Sequence, residues 1–423
     1  MAVIFTSIAE IETFFAKISY KKTDSPPFTM MRIALEKLGN PEKIGNFIHI
    51  TGTNGKGSTI NYIATMLNFS GISVGKFTSP HIFNINERIS IDGNSISDAD
   101  FIATFQYIYD NIAHCCMLIQ FEWLTLMAFV YFAKSSIDYT IIEVGIGGLY
   151  DTTNCIDHKK IAAITTISLD HQGILGDSLS AIFEQKAGII TAKTDIAFIG
   201  KLPKELLTTN IAIYPNILYR YGRDFSITGD NLTIGSMVFK LSPNNVPAFQ
   251  KNNYLLALAI VKYILEDEKG EEYLHSDLQK MVLASFKHTL PIRFERVCFN
   301  DTVLIFDGAH NCMGIQTILE TLTACYPDKQ YHFIYSAMAD KDFTSILALL
   351  QEYGAVSLYD YYPIYQRAQQ IPLANTLVVF NSPPAVFTEI SNNTNKDMLY
   401  IFIGSMYFVS YIRSAYTDFI KTC

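Results

Sequence analysis

Apolar positions along the chain come in two alternating textures. Short continuous runs, Phe47-Ile48-His49-Ile50, Tyr139 to Val144, Ile161 to Ile167 and Ile196 to Ile199, end in glycine or polar residues. Between them lie longer stretches with apolar residues three and four apart; Thr59 to Phe69 carries Ile60, Ile63, Met66 and Leu67 at helical spacing. Continuous runs read as strands buried on both faces, and their alternation with helical stretches predicts an α/β fold with a mainly parallel sheet. From Tyr219 to Leu241 the texture changes to short alternating runs, FSITG and LTIGSMVFKL, which predict a β-hairpin excursion. A second α/β series follows Pro291, with candidate strands Thr302 to Phe306, Tyr331 to Tyr335, Ala355 to Leu358, Thr376 to Phe380 and Met398 to Ile403. KHTLPIRFERV between the two series reads as a linker, so a larger domain over 1–290 and a smaller one over 291–423 are expected.

Composition narrows the class. Of 423 residues 49% are apolar and 17% charged, enough apolar chain for a large core and too little charge for wholesale disorder. Mean hydropathy is +0.18, yet no stretch approaches the ~18 uninterrupted apolar residues of a spanning helix. The start, MAVIFTSIAEIE, has Glu10 and Glu12 and no basic n-region, so no secretory signal is expected. Lys and Arg number 32 against 40 Asp and Glu, a net −8 that argues against nucleic-acid binding and against a basic membrane-docking surface. Seven cysteines without a CxxC pair make neither a disulfide framework nor a zinc site, and fit thiols in a reducing cytoplasm. The expectation is a soluble, cytoplasmic, multi-domain enzyme.

The strongest local signal runs from His49 to Thr59. A strand enters the turn Gly52-Thr53-Asn54-Gly55-Lys56-Gly57-Ser58-Thr59, and a helix follows at once. Glycines let backbone N–H groups turn inward around an anion, and the helix N-terminus adds partial positive charge. Lys56 can neutralise β- and γ-phosphate oxygens, and the Ser58 hydroxyl can ligate Mg²⁺. The strict pattern G-x-x-x-x-G-K-[ST] is not met, because Gly57 stands between Lys56 and Ser58. A ligand-free turn has no use for a lysine and two hydroxyls at that place. Glu143 closes the strand YTIIEVG at the carboxyl edge, where open α/β sheets bind ligands; by position alone it is either a Mg²⁺ ligand or a capping residue. His171 follows IAAITTISLD, and Asp307 and His310 follow TVLIFDG.

GTNGKGST resembles the phosphate loop of ATP-dependent amide ligases related to the Mur ligases. Within that group the chain resembles the folylpolyglutamate synthase family, including its bacterial members that are also dihydrofolate synthases. The resemblance spans nearly the whole chain. It rests on Thr78-Ser79-Pro80-His81 with Glu87-Arg88-Ile89, Phe121-Glu122 before a helix, Glu143-Val144-Gly145-Ile146-Gly147-Gly148 and Asp151-Thr152-Thr153-Asn154. It continues through Leu169-Asp170-His171, Lys186-Ala187-Gly188-Ile189, Asp307-Gly308-Ala309-His310-Asn311, Asp340-Lys341-Asp342 and Gly404-Ser405.

The resemblance implies a P-loop mononucleotide-binding domain and a smaller Rossmann-like C-terminal domain. ATP would phosphorylate a pteroyl carboxylate to an acyl phosphate, and the amine of L-glutamate would displace phosphate. It implies one or two Mg²⁺ ions, with Ser58, Glu143 and His171 as metal ligands and Lys186 as a carbamate that organises the metal. A carbamate forms on a neutral amine, so the site must lower the pKa of Lys186. Arg293 matches a residue reaching the transferred phosphate, where a guanidinium fork suits the charge. Asn253 matches an adenine-side position, Asp307 a nucleotide contact, and His310 and Ser405 positions beside the incoming glutamate. Phe121, Asp151 and Thr152 match the pterin-side region, and Pro26-Pro27-Phe28-Thr29 lies where the family has further substrate contacts. The resemblance favours a monomer.

Five departures from the family bear on substrate choice and closure: Leu149 stands in place of Arg, Gln185 of Glu, Ile292 of Gly, Cys312 of Pro and Phe249 of His. Two alternatives remain at this point, a Mur-type ligase acting on a UDP-sugar and a nucleotide-binding regulatory protein without ligation.

Overall fold

The computed structural model describes residues 3–18, 28–207, 217–241, 247–270, 274–300, 302–339, 341–360 and 377–422. Pro26, Pro27, Asp340 and Thr376 lie outside them. Contacts divide the chain into two compact units, 1–244 with 250–288, and 245–249 with 289–423.

The first unit is built on eight strands: β1 (Asn46–Thr51), β2 (Val74–Phe77), β3 (Ile89–Ile91), β4 (Asn94–Ser95), β5 (Tyr139–Glu143), β6 (Lys159–Ile164), β7 (Thr194–Ile199) and β8 (Ile217–Arg220). Their order is β4-β3-β2-β5-β1-β6-β7-β8. The six strands from β2 to β8 are parallel, and β3 and β4 run antiparallel at one edge. Successive side chains of a strand point to opposite faces. Ile48 and Ile50 of β1 accordingly join Ile141, Ile161 and Ala163 in a core with the helices Lys56–Phe69 and Ala248–Lys269. Phe47 joins Ile142 in a second core with the helices Asp98–Ile112 and Gln120–Ala133. Ala162 and Ile164 meet the helix Leu179–Ala187 through Ile182 and Phe183.

The region from Tyr219 to Leu241 departs from the expected hairpin. β8 is the eighth strand of the large sheet, its Tyr219 ring stacked on Phe198 at 4.9 Å. The rest forms a separate antiparallel meander of β9 (Phe225–Thr228), β10 (Asn231–Ile234) and β11 (Met237–Lys240). An isolated two-stranded hairpin is marginal in water. Here a third strand, and burial of Phe225, Leu232 and Phe239 in the core that includes the helix Ala248–Lys269, supply the missing stabilisation.

The second unit holds β12 (Glu295–Phe299), β13 (Thr302–Asp307), β14 (Gln330–Tyr335), β15 (Gly354–Tyr359), β16 (Val379–Phe380) and β17 (Met398–Ile403), in the order β12-β13-β17-β14-β15-β16. β12 is antiparallel to β13 and the other pairs are parallel. Both sheets are therefore mainly parallel with antiparallel edges. Among the described residues no helix is long and apolar enough to cross a membrane.

Candidate functional site

The glycine-rich turn leaves the carboxyl end of β1, between β5 and β6, with Ile50 opposite Glu143 and Thr51 opposite Ile164. Its neighbours hold it firmly. Thr51 Oγ1 donates to the Gly147 carbonyl at 2.6 Å, and the Thr53 N–H donates to the Thr166 carbonyl at 2.8 Å. The Asn54 carbonyl accepts from Thr165 Oγ1 at 2.6 Å and Thr166 Oγ1 at 3.1 Å. Two glycines are required by close approach: a Cβ on Gly52 would lie 1.9 Å from Thr165 Oγ1, and one on Gly55, at φ +86°, 2.2 Å from Asn253 Oδ1. That approach also brings Asn253 against the turn. The helix starts at Lys56, earlier than the apolar spacing from Thr59 indicates, so Lys56, Gly57 and Ser58 occupy its first turn. Their N–H groups have no intrahelical partners, which suits an anion. The buried Thr59 Oγ1 and Ser168 Oγ have no hydrogen-bond partner among the described residues.

Lys186, in the last turn of Leu179–Ala187, is buried and donates from Nζ to the Gly52 carbonyl at 3.0 Å. Lys56 Nζ donates to the same carbonyl at 3.1 Å. Burial first, and then the neighbouring Lys56 charge, push the Lys186 amine down to about 7. Glu143 is buried at the end of β5 and accepts from the Ser79 N–H at 3.1 Å. His171 sits in the left-handed region at φ +50°, ahead of the short helix Gln172–Leu175. β5 and β6 flank β1, so Glu143 and the loop ending in His171 approach the turn from its two sides. Among the described residues no three His, Cys, Asp or Glu side chains converge. One hydroxyl, one carboxylate and one imidazole fit Mg²⁺, which keeps waters and nucleotide oxygens in place of an all-protein cage.

After β5 the chain packs onto itself. The Phe121 ring covers Gly145, where a Cβ would lie 2.8 Å from its Cζ. Phe121 and Glu122 stand inside the first turn of the helix Gln120–Ala133 rather than before it. Asp151 is buried and accepts from the Ile146 N–H at 3.0 Å, the Thr153 N–H at 3.0 Å and Thr153 Oγ1 at 2.5 Å. It organises the loop with its carboxylate oxygens turned inward, and Thr152 is buried beside it.

In the second unit Asp307 ends β13 fully enclosed. Its Oδ2 accepts from the Phe294 N–H and its Oδ1 from the Ala309 N–H, both at 2.7 Å. Burial raises its carboxyl to about 6, against the lowering effect of the Arg293 charge and these two bonds. Arg293 lies along Gly308, where a Cβ would meet its Nη1 at 3.0 Å, and its Nη2 is 3.2 Å from Met406 Sδ. His310 Nδ1 is 2.9 Å from the Gly308 carbonyl. Ser405 follows β17, buried, with its Oγ lacking a partner among the described residues. Ile292 and Phe294 on either side of Arg293 both have positive φ, +50° and +54°. Of the proposed residues, the structure thus gathers Gly52 to Thr59, Asn253 and Lys186 around one turn with Glu143 and His171 beside it. Arg293, Asp307, His310 and Ser405 stand at the strand ends of the second unit.

A folylpolyglutamate synthase of Lacticaseibacillus casei is 32% identical over 331 residues, covering 74% of this chain and 76% of that protein. The chain belongs to the folylpolyglutamate synthase family. A dihydrofolate synthase/folylpolyglutamate synthase of Bacillus subtilis is 27% identical over 415 residues, 92% of this chain and 94% of its own. Residues 292–406 match the family model described as Mur ligase, glutamate ligase domain. Among solved structures, a bifunctional folylpolyglutamate synthase/dihydrofolate synthase of Yersinia pestis, complexed with AMPPNP and Mn ion, aligns with TM-score 0.83 at 25% identity over 97% of this chain and 98% of that one.

Several supports of this candidate site escape a reading of sequence. Thr165 and Thr166 brace the turn from more than a hundred residues away. His49, buried in β1, pairs its Nε2 with Thr153 Oγ1 at 2.8 Å and so ties β1 to the Asp151 loop. Glu87 gathers the N–H groups of Ile82, Phe83 and Asn84. His81 Nδ1 accepts from Arg88 Nε at 3.1 Å, and burial first, then the Arg88 charge, push His81 down to about 4. Glu87, Arg88 and His81 were visible as motif residues; their partnership needed coordinates.

Proposed function

We infer that this chain is an ATP-dependent ligase that joins L-glutamate to the carboxylate of dihydropteroate or of a reduced folate, releasing ADP and phosphate. Beside the family membership, the supporting observation is the paired lysines, with Lys56 and Lys186 on one carbonyl of a glycine-rich turn that has Glu143 and His171 on its flanks. In this reading the acceptor carboxylate attacks the γ-phosphorus, ADP leaves, and the glutamate amine attacks the acyl carbon. The amine loses a proton and phosphate departs with the old carboxylate oxygen. The turn's N–H groups and Lys56 bind the phosphates, and Lys56 leaves the Gly52 carbonyl for them. Asn253 serves the adenine side, Arg293 and Asp307 the nucleotide, and His310 and Ser405 the glutamate. Phe121 supplies an apolar wall for the acceptor, with Asp151 and Thr152 shaping the loop beside it.

Ser58, Glu143 and His171 would hold Mg²⁺, which supplies charge for the phosphate oxygens during transfer. Lys186, lowered to about 7 and enclosed, presents at neutral pH a substantial share of the free amine that carbamylation by carbon dioxide requires. We assign the enzyme to the cytoplasm as a monomer with residues 1–290 for ATP and the acceptor and 291–423 for glutamate.

The test incubates the purified protein with ATP, Mg²⁺ and L-glutamate, plus either 7,8-dihydropteroate or tetrahydrofolate, and reads products by mass. Glutamate adducts on both acceptors establish a bifunctional ligase, and an adduct on one fixes its acceptor. ADP release without an adduct retains the chemistry and rejects the acceptor. No ATP turnover at all overturns the reading in favour of a regulatory nucleotide-binding protein.

A further inference from the structure

His49 is the polar member of the apolar run Phe47-Ile48-His49-Ile50 in β1, and the ligase reading gives it no task. It is fully buried, as is Thr153, and Asp151 is nearly so. A buried polar side chain is costly unless its hydrogen bonds are made, and an aliphatic residue would fill the place without that cost. Burial first, and then the Lys159 charge, hold the ring well below its ordinary value, so it is neutral and carries one proton. Its partners locate that proton. Both Asp151 oxygens already accept backbone N–H groups, Oδ1 from Thr153 and Oδ2 from Ile146, each at 3.0 Å. Thr153 Oγ1 gives its own proton to Oδ1 at 2.5 Å, which leaves only lone pairs for His49 Nε2 at 2.8 Å. The hydrogen therefore lies on Nε2. Nδ1 is bare and without a partner among the described residues, and a lone pair suits the neighbouring Lys159 charge better than an N–H would.

The donor chain thus runs from Nε2–H to Oγ1–H to the Asp151 carboxylate, which in turn holds the Ile146 N–H. Thr51 lies two residues further along β1 and so on the same face, and its Oγ1 donates to the Gly147 carbonyl at 2.6 Å. One face of β1 therefore grips the loop 146–153 at both ends. We propose that His49, as the Nε2–H tautomer, is a positioning residue for the acceptor: through Thr153 it fixes the Asp151 carboxylate, and with it the loop that shapes the acceptor's place. The occupant of that place rests on the ligase reading; the hydrogen-bond chain does not. The phosphate turn has other braces, Thr165 and Thr166 on the Asn54 carbonyl. Loss of the His49 bond should therefore be felt by the acceptor and hardly by ATP.

The experiment uses the full chain with nitrogen-15 in its histidines. At neutral pH, long-range proton–nitrogen correlation should show a proton on Nε2 and a bare Nδ1 for the signal that His49→Gln removes. A proton on Nδ1, or on both nitrogens, overturns the proposal. Steady-state kinetics then use whichever of dihydropteroate and tetrahydrofolate the parent ligates. His49→Leu should raise the acceptor KM about fivefold, the worth of one hydrogen bond, with kcat and the KM for ATP within about twofold. His49→Gln places an amide N–H near the position of Nε2 and should restore most of the loss. His49→Asn is too short to reach Thr153 and should resemble His49→Leu. Ile48→Val, on the opposite face of β1, loses a core methyl group and should leave both KM values unchanged. An equal rise in both KM values, no rise, or no difference between the glutamine and asparagine variants overturns the proposal. Should His49→Leu fail to fold, the tautomer and that pair of variants decide. Amide exchange without ligands should quicken at Ile146 and Thr153 in His49→Asn, and unchanged exchange there also overturns the proposal. If the parent ligates neither acceptor, the folate reading falls, while the tautomer and the exchange rates still decide whether His49 positions the loop.

Discussion

The loop Gly52–Thr59 of the first unit and the loop Asp307–Asn311 of the second leave equivalent places, the carboxyl end of a strand with partners on both sides, and are organised in opposite ways. In the first, carbonyl oxygens hold the turn together: Asn54 accepts two threonine hydroxyls, and Gly52 accepts two lysine amines. Order made from carbonyls leaves the N–H groups at the helix start for a ligand, and the ligand they suit is an anion. In the second, a buried carboxylate collects the N–H groups of Phe294 and Ala309. That loop spends its donors internally and concentrates negative charge in an apolar setting, which lifts Asp307 to about 6. On the proposed reading the first loop receives phosphate; the other keeps a carboxylate and an imidazole in place beside an arginine.

Removing the cation of the first loop should have the largest effect. Lys56→Ala is expected to lower kcat by about 10³-fold or more, beyond the loss of a single oxyanion donor, with a thermal midpoint close to that of the parent. Adduct formation by mass and a melting curve check both halves, and normal turnover would remove Lys56 from the phosphate site. Lys186→Ala should cost about 10²-fold, the scale of losing a group that orients metal ligands, with partial recovery on adding short carboxylic acids that replace a carbamate. No loss at all would dismiss that role.

The same lysine makes an opposite prediction for stability. Its folded value of about 7 lies below the ordinary 10.5, so between those pH values the unfolded chain holds a proton the folded chain has released. Stability therefore rises with pH across that window, and the cost is fully present below about 7. Each unit corresponds to ~1.4 kcal/mol, and loss of the Gly52 bond offsets part of the gain. Lys186→Met should thus be more stable than the parent at pH 7 by ~2 kcal/mol. Urea melts should show the gain closing as pH approaches 10.5.

Asp307 offers the counterpart in the second loop. A carboxyl raised from 3.8 to about 6 takes up its proton as pH falls through 6. The value of kcat/KM should therefore show an acid limb near pH 6. Asp307→Asn should lower the rate by about tenfold to a hundredfold and abolish that limb. A limb that survives the substitution belongs to another group.

These contrasts also mark what a sequence can carry. The first loop was legible because glycine, lysine and hydroxyl at fixed spacing after an apolar run state their chemistry locally. The braces from Thr165 and Thr166 were not, since the pairing of β1 with β6 brings them near and neither threonine differs in sequence from any other. β12 escaped because Glu295-Arg296-Val297 lacks an apolar run; Arg413 Nη2 bonds Glu295 Oε1 at 2.7 Å and settles the edge strand. β8 was read into a hairpin because alternation gives a strand but not its partner. Ile292 stands in place of the family's glycine, and it holds φ +50° with its side chain fully buried. A β-branched residue there carries ~1–2 kcal/mol of strain, while removing a buried Ile costs ~2–5 kcal/mol. Burial outweighs strain, so Ile292→Gly should destabilise the protein by ~2 kcal/mol in urea denaturation. A gain in stability would show that strain dominates.

The smallest expected effect lies in the loop that follows Glu143. Leu149 is 37% exposed, its N–H donates to the Gln185 carbonyl at 2.7 Å, and its side chain rests against Gly188. Nothing in that setting requires leucine, so Leu149→Arg should alter stability by less than ~0.5 kcal/mol. The new guanidinium would project from the loop that follows Glu143, and an exposed ion pair is worth ~0.2–1 kcal/mol. The matching change is at most about fivefold in KM. Tetrahydrofolate carries two carboxylates and dihydropteroate one, so the KM for tetrahydrofolate should fall further. Steady-state kinetics with both acceptors, at low and high salt, read the ratio, and screening should erase it. Equal shifts for the two acceptors, or a ratio indifferent to salt, would show that Leu149 does not set the preference between them.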